Sequence, residues 1–232
     1  MNFSQRSYQK ELLDGENIPA KDLYQNLKEL AIINTYLGGF AITVHGVSQL
    51  VNDKKRNYHI VDIGCGGGDN MIAVAQWAKK NNISVNLTGI DLKKDAIDYA
   101  KQNCAAYPNI KFIESDYKLV AFADEADIIM SSLFCHHLNE KQIVECTNWM
   151  HKNARIGFVI NDLERNKIAY YSIKWLTKFF SSSYLVKNDA AVSVTRGFKK
   201  QELNSMLDSC IDLHYNIKWK WAFRYLVIAK KV

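Results

Sequence analysis

The stretch VDIGCGGGDN, residues 61–70, sets Gly64, Gly66, Gly67 and Gly68 behind an apolar run and ahead of a helix-like segment. Glycines there admit positive φ and let a ligand lie against the main chain, faced by the amides of the next helix. The following residues narrow the ligand. A P-loop ends in Gly-Lys-Ser/Thr, but Gly68 is followed by Asp69 and Asn70. A dinucleotide loop starting at Gly64 needs glycine or alanine at position 69, where Asp69 would repel a pyrophosphate. The loop therefore suits a ligand with little negative charge. Carboxylates stand at three expected strand ends: Asp62; Asp91, 23 residues past Gly68, placed to accept ribose hydroxyls; and Asp116, placed to meet an exocyclic adenine amine, with Tyr117 beside it. Each alone also reads as a helix cap. Together they describe a nucleoside carrying positive charge. Downstream, SSLFCHHLNE (131–140) offers His136 and His137, which suit proton removal from a hydroxyl; satisfying a loop carbonyl or packing under a ligand is the plainer alternative.

These groups need a scaffold that brings strand ends together. Strand candidates are 58–63, 84–90, 110–115, 126–133, 155–161, 211–219 and 223–231; helix candidates are 70–80, 93–104, 140–151 and 199–209. Strands alternating with helical crossovers predict a mostly parallel sheet covered on both faces. The short link around Ala222 permits only an antiparallel pair. The expected class is α/β: a Rossmann-like, doubly wound, seven-stranded sheet with a reversed C-terminal hairpin strand. Residues 5–52 read as helical in pieces, with a turn at Asp14–Gly15 and apolar Leu23, Leu27, Leu30, Ile33 and Leu37 at helical spacing. Residues 1–55 are thus expected to form a helical cap on a domain spanning 56–232, with an insertion at about 163–195.

The run Asp62-x-Gly64-x-Gly66-x-Gly68, then Asp91 and Asp116, resembles the class I S-adenosylmethionine-dependent methyltransferases over about residues 55–232. The resemblance implies S-adenosyl-L-methionine as cofactor and S-adenosylhomocysteine as product. It assigns Asp62, Gly64, Cys65, Gly66 and Gly68 to the methionine portion, Asp91 to the ribose, Asp116 to the adenine amine, and Leu92 and Tyr117 to the ring faces; Ser132 is also expected at the cofactor. The segment Leu133–Leu138 is similar to one that follows the fourth strand in many small-molecule methyltransferases. That places His137, and secondarily His136, where the methyl meets its acceptor.

Acceptor choice is expected from the cap and the insertion. Asp162, Glu164 and Arg165 open the insertion, as site groups or as helix caps. Residues 167–180 then put Ile168, Tyr171, Trp175 and Phe179 on one helical face and Lys167, Lys174 and Lys178 on another. That helix reads as a core cover, a lid over an apolar acceptor, or a membrane-surface contact. Three short segments, Asn34–Gly39, Asn161–Asp162 and Trp221–Arg224, are similar to bacterial methyltransferases of phenolic lipids and polyketides. This implies a role in secondary metabolism and O-methylation of a phenolic, quinone-like or polyketide acceptor.

Composition bounds the rest. Of 232 residues, 48% are apolar and 23% charged, a globular balance. The net charge of +6 is scattered and never forms a basic block, so no nucleic-acid partner is expected. Proline is absent after Pro108, which removes the Asn/Asp-Pro-Pro-aromatic motif of nucleic-acid amino-methyltransferases. Neither a signal peptide nor a spanning segment is seen; the expectation is cytoplasmic, with at most weak membrane-surface contact. The five cysteines, Cys65, Cys104, Cys135, Cys146 and Cys210, lack a C-x-x-C pair; reduced, mostly buried thiols and no metal are expected. A Rossmann-type nucleotide-binding oxidoreductase and a non-catalytic cofactor-binding protein are the competing readings. Monomer and homodimer both fit.

Overall fold

The computed structural model describes residues 2–15, 17–122, 125–209 and 213–231. Cys210 and the first two positions of the sixth strand candidate lie outside them. Seven strands form one sheet: β1 (Asn57–Ile63), β2 (Ser84–Asp91), β3 (Ile110–Glu114), β4 (Ala126–Ser132), β5 (Ala154–Leu163), β6 (Leu213–Lys220) and β7 (Arg224–Lys231). Their order is β3-β2-β1-β4-β5-β7-β6. β7 runs antiparallel to both β5 and β6, and every other pairing is parallel. The expected sheet with its reversed strand is therefore present.

Side-chain alternation explains why both faces must be covered. Ile60, Ile128, Met130, Val159 and Leu226 enter one core, with Met71 and Val74 of helix α3 (Asp69–Lys80) and Val47 of α2 (Gly39–Ser48). Their neighbours Val61, Ile129, Phe158, Ile160 and Val227 enter the other, with Ile143, Cys146 and Met150 of α5 (Glu140–Asn153) and Leu203 of α8 (Lys200–Leu207). Helix α4 (Lys94–Asn103) packs on β2 and β3. Cys65, Cys104, Cys135 and Cys146 are buried and unpaired.

The amino-terminal helices are α1 (Ala20–Tyr36) and α2, separated at Gly38, whose φ of +73° suits glycine. Since α2 contributes Ile42 and Val47 to the core, the cap is continuous with the sheet domain. Residues before α1 form an arm held from several sides: Arg165 donates to Phe3 O and Ser4 O, and Ser7 N donates to Thr195 O.

The insertion contains α6 (Lys167–Phe180) and α7 (Tyr184–Arg196). α7 was not expected; it is buried around most of its circumference and so carries no one-sided apolar stripe. In α6 the inward face is also not the anticipated one. Ile168, Tyr171, Trp175 and Phe179 are exposed, and Trp175 stacks on Phe179 at 5.6 Å. Ala169, Tyr170 and Ile173 turn inward, against Val194 and Phe223. Both stripes have helical spacing, and packing against α7 selects the smaller side chains. Among the described residues no single helix is long and apolar enough to cross a membrane.

Candidate active site

Register brings the strand ends to one edge: Ile63 stands opposite Ile90 and Ser131, and Asp91 opposite Glu114. The loops after β1 to β4 open there into a cavity of about 710 Å³ under α1. Gly64, Cys65 and Gly66 line it from the first loop, and Asp91 with Leu92 from the second. Asp116, Tyr117 and Ser132 complete the wall, and His137 stands at its end. Asp91 is fixed by accepting Gly66 N at 3.0 Å and Lys93 N at 2.9 Å. Each oxygen retains a lone pair for a ligand hydroxyl. Gly66 has φ +50°, and a Cβ there would find nothing nearer than Leu27 Cδ2 at 3.6 Å, so the main chain lies bare to the cavity. Asp116 accepts Lys118 N at 3.0 Å. Leu92 is 69% exposed, an apolar side chain without a protein cover.

Two expected members lie off the wall. Asp62 is buried beneath the glycine loop; burial, then the nearby Asp91 charge, raise its carboxyl well above the usual range, and Oδ1 has no hydrogen-bond partner. Gly68 precedes α3 with φ +80°, and a Cβ there would stand 2.7 Å from Cys104 Sγ, so it serves packing and helix entry. A bare glycine turn, a carboxylate with spare lone pairs, an orphaned buried acid and an uncovered leucine fit an adenosyl ligand bearing an ammonium and a sulfonium.

A second, apolar cavity of about 390 Å³ adjoins the first. Leu30 and Ile33 line it from α1 and Leu37 from just past its end, Ile173 and Leu176 from α6, and Val186 and Ala190 from α7. The two cavities share Leu13, Leu30, Asn34, Leu133 and His137. Asn34, Asn161 and Arg224, drawn from the three short segments picked out in the sequence, meet around Gly39. Arg224 donates to Asn34 Oδ1 at 2.7 Å, and Asn161 Nδ2 donates to Gly39 O and Thr43 Oγ1 at 2.9 Å each. Burial depresses the Arg224 guanidinium to about 10, against the opposing charge of Asp162.

The histidines occupy different surroundings. His136 is 3% exposed, and its Nδ1 donates to Asp162 Oδ1 at 2.7 Å. Burial alone would depress its imidazole, but Asp162, then Glu11, raise it to about 9. His136 lines the apolar cavity alone, whereas His137 lines both cavities and so stands nearer their junction. His137 Nδ1 donates to Asp14 Oδ1 at 2.8 Å, which leaves Nε2 without a hydrogen bond, 3.9 Å from Glu11 Oε2. Asp14 is held well below the usual carboxylate range, because its bonds to His137 and Arg196 outweigh burial.

The sequence reading did not reach Glu11, Asp14 or Arg196 as site residues. Glu11 is buried on the arm; Leu12 N and Leu13 N donate to Asp189 at 2.8 Å, and Arg196 donates to Asp14 Oδ2 at 2.7 Å. The other insertion residues divide. Asp162 orients His136, Glu164 accepts from Trp219 Nε1 at 2.8 Å, and Arg165, fully buried, pairs with Glu202 at 2.6 Å and secures the arm. Arg165 is therefore structural.

Comparison with known proteins agrees with this geometry. The sequence model of a family described as "Methyltransferase domain" matches residues 60–157. The chain is 26% identical over 125 residues to malonyl-[acyl-carrier protein] O-methyltransferase of Halalkalibacterium halodurans, covering 49% of this chain and 45% of that protein. It is 26% identical over 141 residues to the mitochondrial ubiquinone biosynthesis O-methyltransferase of Saccharomyces cerevisiae, covering 58% and 41%. The matches thus span less than half the length of these curated relatives. Among solved structures, plantazolicin methyltransferase BpumL in complex with S-adenosylhomocysteine has a TM-score of 0.67 at 17% identity, over 92% of this chain and 95% of that one. Magnesium protoporphyrin IX methyltransferase of Synechocystis PCC 6803, with S-adenosylmethionine bound, has a TM-score of 0.52 at 13% identity, over 94% and 86%. At such identities the structural likeness is one of fold. Residues 60–157 thus match a methyltransferase domain, and the sheet order with the cavity at its edge has the fold of the neighbours solved with S-adenosylhomocysteine or S-adenosylmethionine bound.

Proposed function

We propose that the protein methylates an oxygen of a small, largely apolar acceptor of phenolic, quinone-like or polyketide type. The observation that carries this reading is the apolar cavity that meets the glycine-loop cavity at His137. Bound in the larger cavity, S-adenosylmethionine supplies an electrophilic methyl group on a sulfonium. Asp91 holds the ribose, Asp116 the adenine amine, Leu92 and Tyr117 the ring faces, and Asp62 faces the ammonium from beneath the loop. Leu133, Leu30 and the walls of the second cavity exclude water and hold the acceptor in line, which supplies much of the rate. His137 handles the acceptor hydroxyl at the junction. The relatives named above as O-methyltransferases favour oxygen as the receiving atom, and BpumL has been solved with desmethyl-plantazolicin analogues beside S-adenosylhomocysteine.

The test is incubation with methyl-labelled cofactor and a panel of phenols, quinones and fatty-acid derivatives, with products read by mass. Label transferred to a hydroxyl-bearing apolar compound supports the reading. Label passing only to charged, hydrophilic compounds would refute it.

A further inference from the structure

Glu11, His136 and His137 gather their donor atoms at one place on the wall of the apolar cavity. We propose that Glu11, His136 and His137 together bind one divalent first-row transition ion of the Zn²⁺, Fe²⁺ or Mn²⁺ kind. The two imidazole rings lie 4.3 Å apart at a tilt of 33°. Both Nε2 atoms address the Glu11 carboxylate, at 3.5 Å from Oε1 for His136 and 3.9 Å from Oε2 for His137. One donor atom from each residue lies within 4.8 Å of the others. Donors about 2.1 Å from a common ion stand roughly 3.0–3.4 Å apart, so a contraction of about 1 Å completes the site.

The supporting shell is already in place. Metal-bound histidines usually give their other ring N–H to a carboxylate or carbonyl, and here Asp162 and Asp14 take those protons at 2.7 and 2.8 Å. Independently, Glu11 is only 5% exposed and its Oε1, facing the cluster, has no hydrogen-bond partner. Its nearest positive partner is His136 Nε2 at 3.5 Å, beyond good hydrogen-bond length, and a cation bound between the three donors would replace that loose contact. Arg196 Nη1 lies 3.9 Å from it, but the Arg196 donors go to Gln9 O, Asp14, His136 O and His137 O. Two imidazole nitrogens and one carboxylate favour a transition ion over Mg²⁺ or Ca²⁺, which prefer all-oxygen sites.

Such a set leaves coordination positions open, and both histidines line the apolar cavity. An acceptor oxygen entering there would be oriented by the ion, so that His137 acts on the hydroxyl through the metal. This extension rests on reading that cavity as the acceptor site; metal binding itself does not. No metal-ligand spacing is visible along the chain because Glu11 comes from the arm, remote from the histidine pair.

The test is equilibrium dialysis of chelator-stripped protein against Zn²⁺, Mn²⁺ and Mg²⁺, with metal content measured per chain and the visible spectrum recorded with Co²⁺. One transition ion per chain is expected, not displaced by excess Mg²⁺. Glu11→Gln should weaken binding at least about tenfold and abolish the Co²⁺ spectrum; Asp14→Asn, which keeps all three donors, should weaken it about 10- to 100-fold by freeing the His137 ring. If Glu11→Gln does not fold, Asp14→Asn decides, and wild-type affinity in that variant overturns the proposal. Absence of a stoichiometric ion, or equal binding by wild type and both variants, as from the buried thiols, also overturns it. Titrating S-adenosylhomocysteine into the same samples separates the two readings, because intact nucleoside binding without metal removes only this one.

Discussion

Replacing Asp91 by alanine removes two functions that the structure separates. The carboxylate clamps the loops by accepting Gly66 N at 3.0 Å and Lys93 N at 2.9 Å, and its remaining lone pairs face the cavity. Loss of the clamp leaves two amides without their charged acceptor, at about 1 kcal/mol or more each, which lowers stability. Loss of the ribose contacts removes charge-assisted bonds that exist only with ligand bound, about 1 to 3 kcal/mol in affinity. At 1.4 kcal/mol per decade this is about a 5- to 150-fold rise in Kd for S-adenosylhomocysteine. Asp91→Asn keeps the side-chain volume and one acceptor oxygen, so it should fall between wild type and alanine. Calorimetric titration gives the affinity, and denaturant unfolding of the ligand-free protein gives the stability. A folded Asp91→Ala protein with affinity within about twofold of wild type would refute the ribose assignment.

Three further outcomes are expected. His137→Ala should lower turnover by about 10²-fold or more while nucleoside affinity stays nearly constant; undiminished turnover at every pH would remove His137 from the chemistry. Ala190→Trp, on the α7 wall of the apolar cavity, should raise the acceptor KM and leave S-adenosylhomocysteine binding unaltered; an unchanged KM would place the acceptor elsewhere. For Asp62, burial raises the folded carboxyl above its unfolded value, so the folded state holds the proton more tightly and ligand-free stability declines as pH rises above the unfolded pKa of about 3.9. Asp62→Asn should lack that decline and melt at least as high as wild type at pH 8, yet bind cofactor more weakly; a lower melting temperature at pH 8 would contradict the burial argument.

The sheet was legible because its strands are short apolar runs separated by helical spacing, and because the link at Ala222 admits one geometry. Asp91 and Asp116 were legible because a strand end next to a glycine turn fixes where a side chain points. Asp62 has the same local signature, but pleat alternation turns it under the loop. The double histidine announced itself as a pair, and only the fold decides which ring is buried against Asp162. α6 misled because Trp175 with Phe179 and Ile173 with Leu176 are both valid stripes. Glu11 and Asp14 could not be read as site residues: Asp14 showed only as a turn, the arm has no periodicity, and partners such as Arg196 and His136 are distant in sequence.

The most direct measurement is a crystal structure with S-adenosylhomocysteine. The account predicts ribose hydroxyls on Asp91, the adenine between Leu92 and Tyr117 with its amine at Asp116, and the sulfur directed toward His137 with the apolar cavity open behind it. A ligand bound elsewhere, or a glycine-loop cavity left empty with Asp91 and Asp116 engaged only by their own loops, would contradict it.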